Sequence, residues 1–321
     1  MTGPSRVLVI KLSALGDMIQ AFPAFARIRA AHAAARITLL TTPPFAELAR
    51  LSPYFDEVDP GGRSQGAGDF LALIRRLRRG RFDRVYDLQG NDRTNLIFQF
   101  LRPYTPMWSG VAFGCALPHA NPLRMAMHTL ERQAEQLQAA GIWPEAPTRP
   151  GSAPAPEVSW MIQASSPAPG PPFSLLIPGA APSRPLKLWP APFYAALAQR
   201  LLARGLGVKL IGGPGEAGIA AAIKALTPGV EDLAGRTTLP ELADLGARAA
   251  LAVGNDTGPT HLIAAAGAST LALFSGDSDP ALCAPRGRVE VLRTDILADL
   301  PVDRVWDAAM QILEKYPAPK P

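Results

Sequence analysis

Val253-Gly254-Asn255-Asp256-Thr257-Gly258-Pro259-Thr260-His261 joins an apolar run to a helical one through a polar turn. The apolar run at 251–253 stops abruptly at Gly, Asn and Asp, and a small apolar helical pattern follows over 262–267. This is how a buried strand, a tight polar turn and the start of a helix are written in sequence. A helix that begins there directs free backbone N–H groups and the positive end of its dipole above the turn, which favours a phosphate. In open α/β sheets ligands bind at such carboxyl ends of strands. Asp256, Thr257 and His261 add an acceptor, a hydroxyl and a ring donor around one point. An ordinary helix N-cap, with Asp256 or Thr257 closing the first turn, fits the same letters.

The same alternation recurs on both sides of this stretch. Toward the C-terminus a strand is expected at 269–274 and an amphipathic helix at 303–315. Toward the N-terminus come a helix at 240–247, a helix at 217–226 and a strand at 206–211 that ends in Gly212-Gly213-Pro214-Gly215-Glu216. A helix at 192–204, a long loop at 178–189 and a strand at 173–177 complete this half. A glycine-rich strand-to-helix turn lets backbone lie close to a ligand, although any tight turn of this kind can be glycine-rich. Between 144 and 172 prolines recur every few residues, and proline neither continues a helix nor serves a central strand. This segment reads as an interdomain linker, with a short element at 158–163 inside it.

Before it, strands are expected at 6–11, 36–41, 57–59 and 84–88, and helices through residue 30, at 70–79 and at 128–140. Strands alternating with helices imply a parallel, doubly wound sheet in each half. At 321 residues the chain is long enough for two such domains.

Composition bounds the function. Hydrophobic residues make up 48% and charged residues 18% of a chain that contains 34 prolines, an Ala/Pro-rich globular composition and not a disordered one. Cys115 and Cys283 form no CxxC or Cys/His pattern, so neither a disulfide framework nor a zinc site is indicated, and a reducing compartment is expected. No basic and apolar leader opens the sequence and no apolar run approaches bilayer length, so a cytoplasmic location is expected. A net charge of +5 suggests anionic partners. Arg75, Arg76, Arg78, Arg79, Arg81 and Arg84 cluster around Gly80, either as a solvated helix face or as a contact to the phosphates of a lipid or substrate. No aromatic platform is interleaved with them, which ranks nucleic acid low. The loop after the first strand, Leu12-Ser13-Ala14-Leu15-Gly16-Asp17, lacks the G-x-G-x-x-G fingerprint, which argues against nicotinamide chemistry.

Three stretches taken together carry a resemblance: Lys11-Leu-Ser13-Ala-Leu-Gly16-Asp17, Pro178-Gly179-Ala180 with Lys187-Leu-Trp189-Pro190, and Asp256-Thr257-Gly258-Pro-Thr-His261. In this order and over most of the chain, the sequence resembles the ADP-heptose:lipopolysaccharide heptosyltransferases of glycosyltransferase family 9. The resemblance implies α/β GT-B architecture, two Rossmann-like domains with parallel sheets facing a central cleft. Residues 1–165 would form the acceptor-side domain and 172–300 the nucleotide-sugar donor domain, with the helix at 302–316 returning to the first. It also implies an inverting, metal-independent transfer of a sugar, heptose from ADP-heptose, to a lipopolysaccharide core acceptor. No cofactor is implied beyond the nucleotide-diphosphate sugar itself.

Residue by residue, Asp17 matches the family's base and Lys187 the lysine that meets the donor phosphates. Ser183 offers a nearby hydroxyl, and Thr257 and Gly258 match phosphate binders at the helix start. Asp256 matches a residue near the donor sugar, and His261 lies one turn further on. Glu216, after the turn containing Gly213, resembles the acid that accepts from the ribose hydroxyls. Lys11, Ser13, Arg75 and Arg76 are the candidates for acceptor or phosphate contact. Asp277-Ser-Asp279 has the letters of a D-x-D metal motif but falls in a late loop. Because the family's acceptor is a membrane lipid, the resemblance implies peripheral attachment to the cytoplasmic face of an anionic inner membrane. A non-catalytic nucleotide-sugar-binding protein would have no use for Asp17, and a family member using another nucleotide sugar is the nearer alternative.

Overall fold

The structure, a computed structural model, describes residues 5–162, 170–180 and 184–316. The chain divides into two compact units, Met1–Pro154 and Ala155–Pro321. The division falls within the proline-rich stretch and ahead of its expected position, so residues 155–162 belong to the second unit. Val158 and Met161, on a 3₁₀ turn at Ser159–Met161, are buried there. Of the element expected at 158–163, Gln163 lies outside the described residues.

In the first unit the strands are β1 (Arg6–Ile10), β2 (Arg36–Leu40), β3 (Glu57–Asp59), β4 (Arg84–Asp87), β5 (Met107–Gly110) and β6 (Leu117–Pro118). Its helices are α1 (Leu15–Ile19), α2 (Phe22–Ala31), α3 (Pro43–Leu51), α4 (Ala67–Gly80), α5 (Asp92–Leu101) and α6 (Thr129–Ala139). All strands pair in parallel in the order β3-β2-β1-β4-β5-β6. Valine, isoleucine and leucine fill β1 and β2, whose inner positions are all buried, as a sheet covered on both faces requires.

The second unit repeats the plan. Its strands are β7 (Phe173–Ile177), β8 (Gly207–Leu210), β9 (Glu231–Asp232), β10 (Leu251–Asn255), β11 (Thr270–Phe274) and β12 (Val289–Arg293). Its helices are α7 (Ala191–Ala203), α8 (Ala217–Leu226), α9 (Leu239–Arg248), α10 (Gly258–Ala265), α11 (Pro280–Cys283) and α12 (Val302–Lys315). The order β12-β11-β10-β7-β8-β9, again all parallel, is the first sheet's order under translation of the numbering. In each sheet the order reverses beside its first strand, between β1 and β4 and between β7 and β10. These switch points are where a doubly wound sheet opens a crevice at its carboxyl edge.

The closing helix α12 packs on the sheet of its own unit. Val305, Ala309 and Ile312 of α12 join Leu251 and Val253 of β10 and Leu271 of β11 in one buried cluster of the second unit. A strong amphipathic face needs apolar cover, and α12 finds it on the sheet and helix α7 of its own unit.

Candidate active site

The loop that opened the sequence reading stands at the switch point of the second sheet. Asn255, the last residue of β10, is fully buried, and its amide donates to the Pro178 and Gly179 carbonyls at 3.1 and 3.0 Å. The Tyr194 hydroxyl shares its one proton between Asn255 Oδ1 at 3.0 Å and the Ile177 carbonyl at 3.1 Å. One side chain thereby ties the end of β10 to the loop after β7. The Thr260 hydroxyl donates back to the Asn255 carbonyl at 2.7 Å and fixes the turn from the helix side. Gly254 is required there, since an added Cβ would lie 2.6 Å from Ile177 and 2.8 Å from the Thr260 hydroxyl.

Thr257 is the N-cap of α10, but its side chain makes no cap hydrogen bond and turns toward the Asn255 carbonyl and Thr260. The first N–H groups of α10 therefore face outward unclaimed by a cap, the arrangement that suits an anion.

Asp256 collects three donors. Lys187 Nζ and the Ser278 hydroxyl reach Oδ2 at 2.5 and 2.7 Å, and His261 Nε2 reaches Oδ1 at 3.3 Å. Burial by itself would raise this carboxyl, but the hydrogen bonds and charges of His261 and Lys187 outweigh it and hold the group well below the usual carboxylate range. Asp256 therefore stays ionised and serves to hold Lys187 and His261. Lys187 sits on a 3₁₀ turn, Pro185–Lys187, anchored by Arg184 Nη1 donating to the Asp277 carbonyl at 3.1 Å.

Glu216 folds back so that Oε2 accepts from the Gly213 N–H at 2.7 Å. Its stem lies against Gly179 and Gly212, where an added Cβ would come within 2.9 and 2.6 Å of it. The loops after β7, β8, β10 and β11 thus meet along one carboxyl edge and bring together Lys187, Gly213, Glu216, Asp256, Thr257, Gly258 and His261. Ser183 lies outside the described residues. Asp279 of the D-x-D letters caps α11, accepting from the Ala281 N–H at 3.0 Å. Ser278 was not singled out from sequence; only the strand order shows that the loop after β11 neighbours the one after β10.

The carboxyl edge of the first sheet carries the remaining candidates. Asp17 caps its own helix, Oδ2 accepting from the Ala14 N–H at 3.0 Å, and Ser13 precedes it in the same turn. Lys11, just past β1, is buried; burial pushes its ammonium down while the neighbouring Asp17 pulls it up. Asp87 ends β4, which pairs with β1 at Ile10↔Asp87. Asp87 Oδ1 accepts from the Gly90 and Gln89 N–H groups at 2.9 and 3.2 Å, and Oδ2 is buried with no close hydrogen-bond donor among the described residues. Burial pushes this carboxyl up to about 6. Beyond β6, His119 Nε2 bonds Glu135 at 2.6 Å.

Neither Asp87 nor His119 carries a signal in the sequence; both look ordinary until the strand order sets them on this edge. The arginines fare differently. Arg76 Nε binds Asp59 at 2.5 Å and its Nη2 the Gly61 carbonyl, so it is held by the protein itself, while Arg75 is exposed on α4.

The chain matches the model of glycosyltransferase family 9 (heptosyltransferase) over residues 70–296. It is 28% identical over 303 residues to lipopolysaccharide heptosyltransferase 2 of Escherichia coli, spanning 87% of this chain and 85% of that protein. It is likewise 28% identical to lipopolysaccharide heptosyltransferase 1 of Pseudomonas aeruginosa, over 89% of this chain and 82% of that one. Among solved structures, E. coli ADP-heptose heptosyltransferase II superposes with a TM-score of 0.77 at 24% identity, covering 97% and 99% of the two chains. A family 9 protein from Veillonella parvula gives 0.78 at 20% identity, covering 97% of each.

Proposed function

The chain belongs to glycosyltransferase family 9, and from that premise we propose that it transfers heptose from ADP-heptose to a lipopolysaccharide core acceptor, with inversion and without a metal ion. The observation that carries the donor half is the uncapped start of α10 beside the buried Lys187–Asp256–His261 group at the switch point of the second sheet. A nucleotide diphosphate needs cationic and N–H partners there, and its departure with negative charge is what such groups stabilise. Lys187 offers three donor protons, of which Asp256 takes one, so the ammonium can hold a phosphate while Asp256 fixes its position. Glu216 Oε1 is the acceptor for ribose hydroxyls, its Oε2 being committed to Gly213.

In the first unit Asp17 acts as general base. Inversion is a single displacement: the acceptor hydroxyl gives its proton to the Asp17 carboxylate as its oxygen bonds the anomeric carbon, and the ADP oxygen leaves with the bonding pair. Asp17 Oδ2 is occupied by the Ala14 N–H, which aims the other oxygen. Lys11, Ser13 and Arg75 serve the acceptor and its phosphates, and a lipid-linked acceptor brings the enzyme to the anionic cytoplasmic face of the inner membrane. No helix among the described residues is long and apolar enough to cross it.

The test is product formation from ADP-heptose, UDP-glucose and GDP-mannose on a lipopolysaccharide core acceptor, with and without EDTA. Transfer from ADP-heptose unaffected by chelation is expected. Preference for another nucleotide sugar, or loss of turnover with EDTA, refutes the donor or the metal-free part respectively.

A further inference from the structure

Four of the exposed apolar side chains of the first unit come from neighbouring segments. Tyr104 and Phe113 are each 87% exposed, and Phe100 and Met107 are nearly half exposed. They come from the end of α5, the turn after it, the start of β5 and the loop that follows. Gln99 Nε2 donates to the Phe113 carbonyl at 3.1 Å, and Arg78 Nη2 donates to the Phe100 and Arg102 carbonyls at 2.8 and 2.9 Å. Gly114 lies so close to the Arg102 guanidinium that an added Cβ would be 2.6 Å away. These contacts join the segments into one face.

Within that face opens a cavity of about 820 Å³, walled by Leu77, Phe82, Val85, Phe98 and Leu101, with Arg78, Arg81 and Tyr104 also in its lining. Asp83 and Met107 line it as well, which sets it at the amino ends of β4 and β5, the opposite edge from Lys11 and Asp87. Asp83, the acid of that lining, is already committed, accepting from the Ser5 and Arg6 N–H groups at 2.8 and 2.9 Å. The guanidinium groups of Arg78, Arg81 and Arg102 outnumber the Asp83 carboxylate and leave the face net positive. A second copy of the same face would set these like charges against one another. Exposed aromatic rings ringed by arginines over an apolar cavity are instead what a headgroup layer accepts: rings at headgroup depth, guanidinium groups on phosphates.

We propose that this face docks on an anionic lipid bilayer, with Tyr104 and Phe113 entering the headgroup layer, the arginines meeting lipid phosphates and the cavity receiving one acyl chain. The inference rests on the lipid-linked acceptor proposed above, and it identifies the docking surface that the arginines of α4 alone leave undefined.

The test sediments the full chain with phosphatidylglycerol/phosphatidylcholine vesicles and with phosphatidylcholine vesicles alone. Wild type is expected to favour the anionic vesicles, less so as salt rises, and Tyr104→Ser/Phe113→Ser to bind them roughly tenfold or more weakly. ADP binding by calorimetry should be unchanged in that variant, which shows that it is folded. Equal sedimentation of variant and wild type overturns the proposal. So does a wild-type dimer in analytical ultracentrifugation that the double substitution dissociates, which would assign the face to a second copy.

Vesicles with brominated acyl chains probe the cavity. The Trp108 ring lies 5.3 Å from that of Phe98, so its fluorescence should be quenched and the quenched component lost in Trp108→Phe. Vesicle binding without that component overturns the acyl-chain site. Failure of wild type to bind ADP would instead sink the donor reading and leave the vesicle result to be read independently.

Discussion

At the scale of single residues, the two halves of the proposed chemistry separate cleanly in kinetics. Asp17→Asn should lower turnover by ~10²–10⁴ while donor affinity changes little, because a general base acts in the transition state. Turnover near wild type would remove Asp17 from that role. Lys187→Ala should weaken donor binding by about one to two decades, the worth of a charge-assisted contact, read by calorimetry with ADP. It also strips Asp256 of a buried partner, so Lys187→Arg is the companion that keeps the charge. Asp87 gives a pH signature. Its carboxyl moves from an ordinary 3.8 to about 6 on burial, so the folded state holds the proton more tightly than the unfolded chain does. The associated stability is fully present below about pH 4 and is lost as pH rises through about 6. Asp87→Asn, which carries no charge to bury, should therefore gain on wild type between pH 4 and 7, by up to about 3 kcal/mol. Denaturant unfolding at several pH values measures this, and a difference independent of pH would mean that Asp87 titrates normally.

At the scale of elements, α10 and α12 show how local pattern and tertiary cover divide the work. The start of α10 was legible because the apolar run of β10 stops at a polar turn that a helical pattern follows. Whether its first N–H groups are free stays open in the letters, since Asp256 or Thr257 could cap them, and the structure turns Thr257 toward Asn255 and Thr260 instead. Amphipathicity fixed the existence of α12 but not its partner, and the partner proved to be its own unit's sheet. Ile312 is 1% exposed in that packing. Ile312→Ala should therefore cost about 2–5 kcal/mol, seen as a lowered denaturation midpoint with weakened ADP binding. A midpoint equal to wild type would mean that α12 contributes little cover. Several elements went unforeseen for plain reasons. The sequence of α5 begins in polar Asp92-Arg93-Thr94-Asn95, yet Asn91 and Thr94 form a capping box that starts it. The strands β6 and β9 have two residues each and exist only through their neighbours' ladders.

At the scale of the whole molecule, a donor that binds only the folded chain must stabilise it. ADP at a hundred times its Kd should add about 2.7 kcal/mol and raise the melting temperature measurably, in wild type and Asp17→Asn alike but much less in Lys187→Ala. Protection lost in Asp17→Asn would show that the base and donor functions are not separable. The alternation of strand and helix, the parallel sheets, the two-domain count and the family are all legible in the letters, because period, turn chemistry and motif are local properties of the chain. The letters also mark Asp17, Lys187, Glu216 and the run from Asp256 to His261 as candidates. That Lys187 and Asp256, 69 residues apart, form a buried pair emerges from the folded chain alone. The same holds for Ser278 at that carboxylate, Asp87 beside Lys11, the home of α12 and the gathering of Tyr104 with Phe113. Each of these depends on strand order and on which loops share an edge, and hydrophobic periodicity is the same for every order in which parallel strands can be laid side by side.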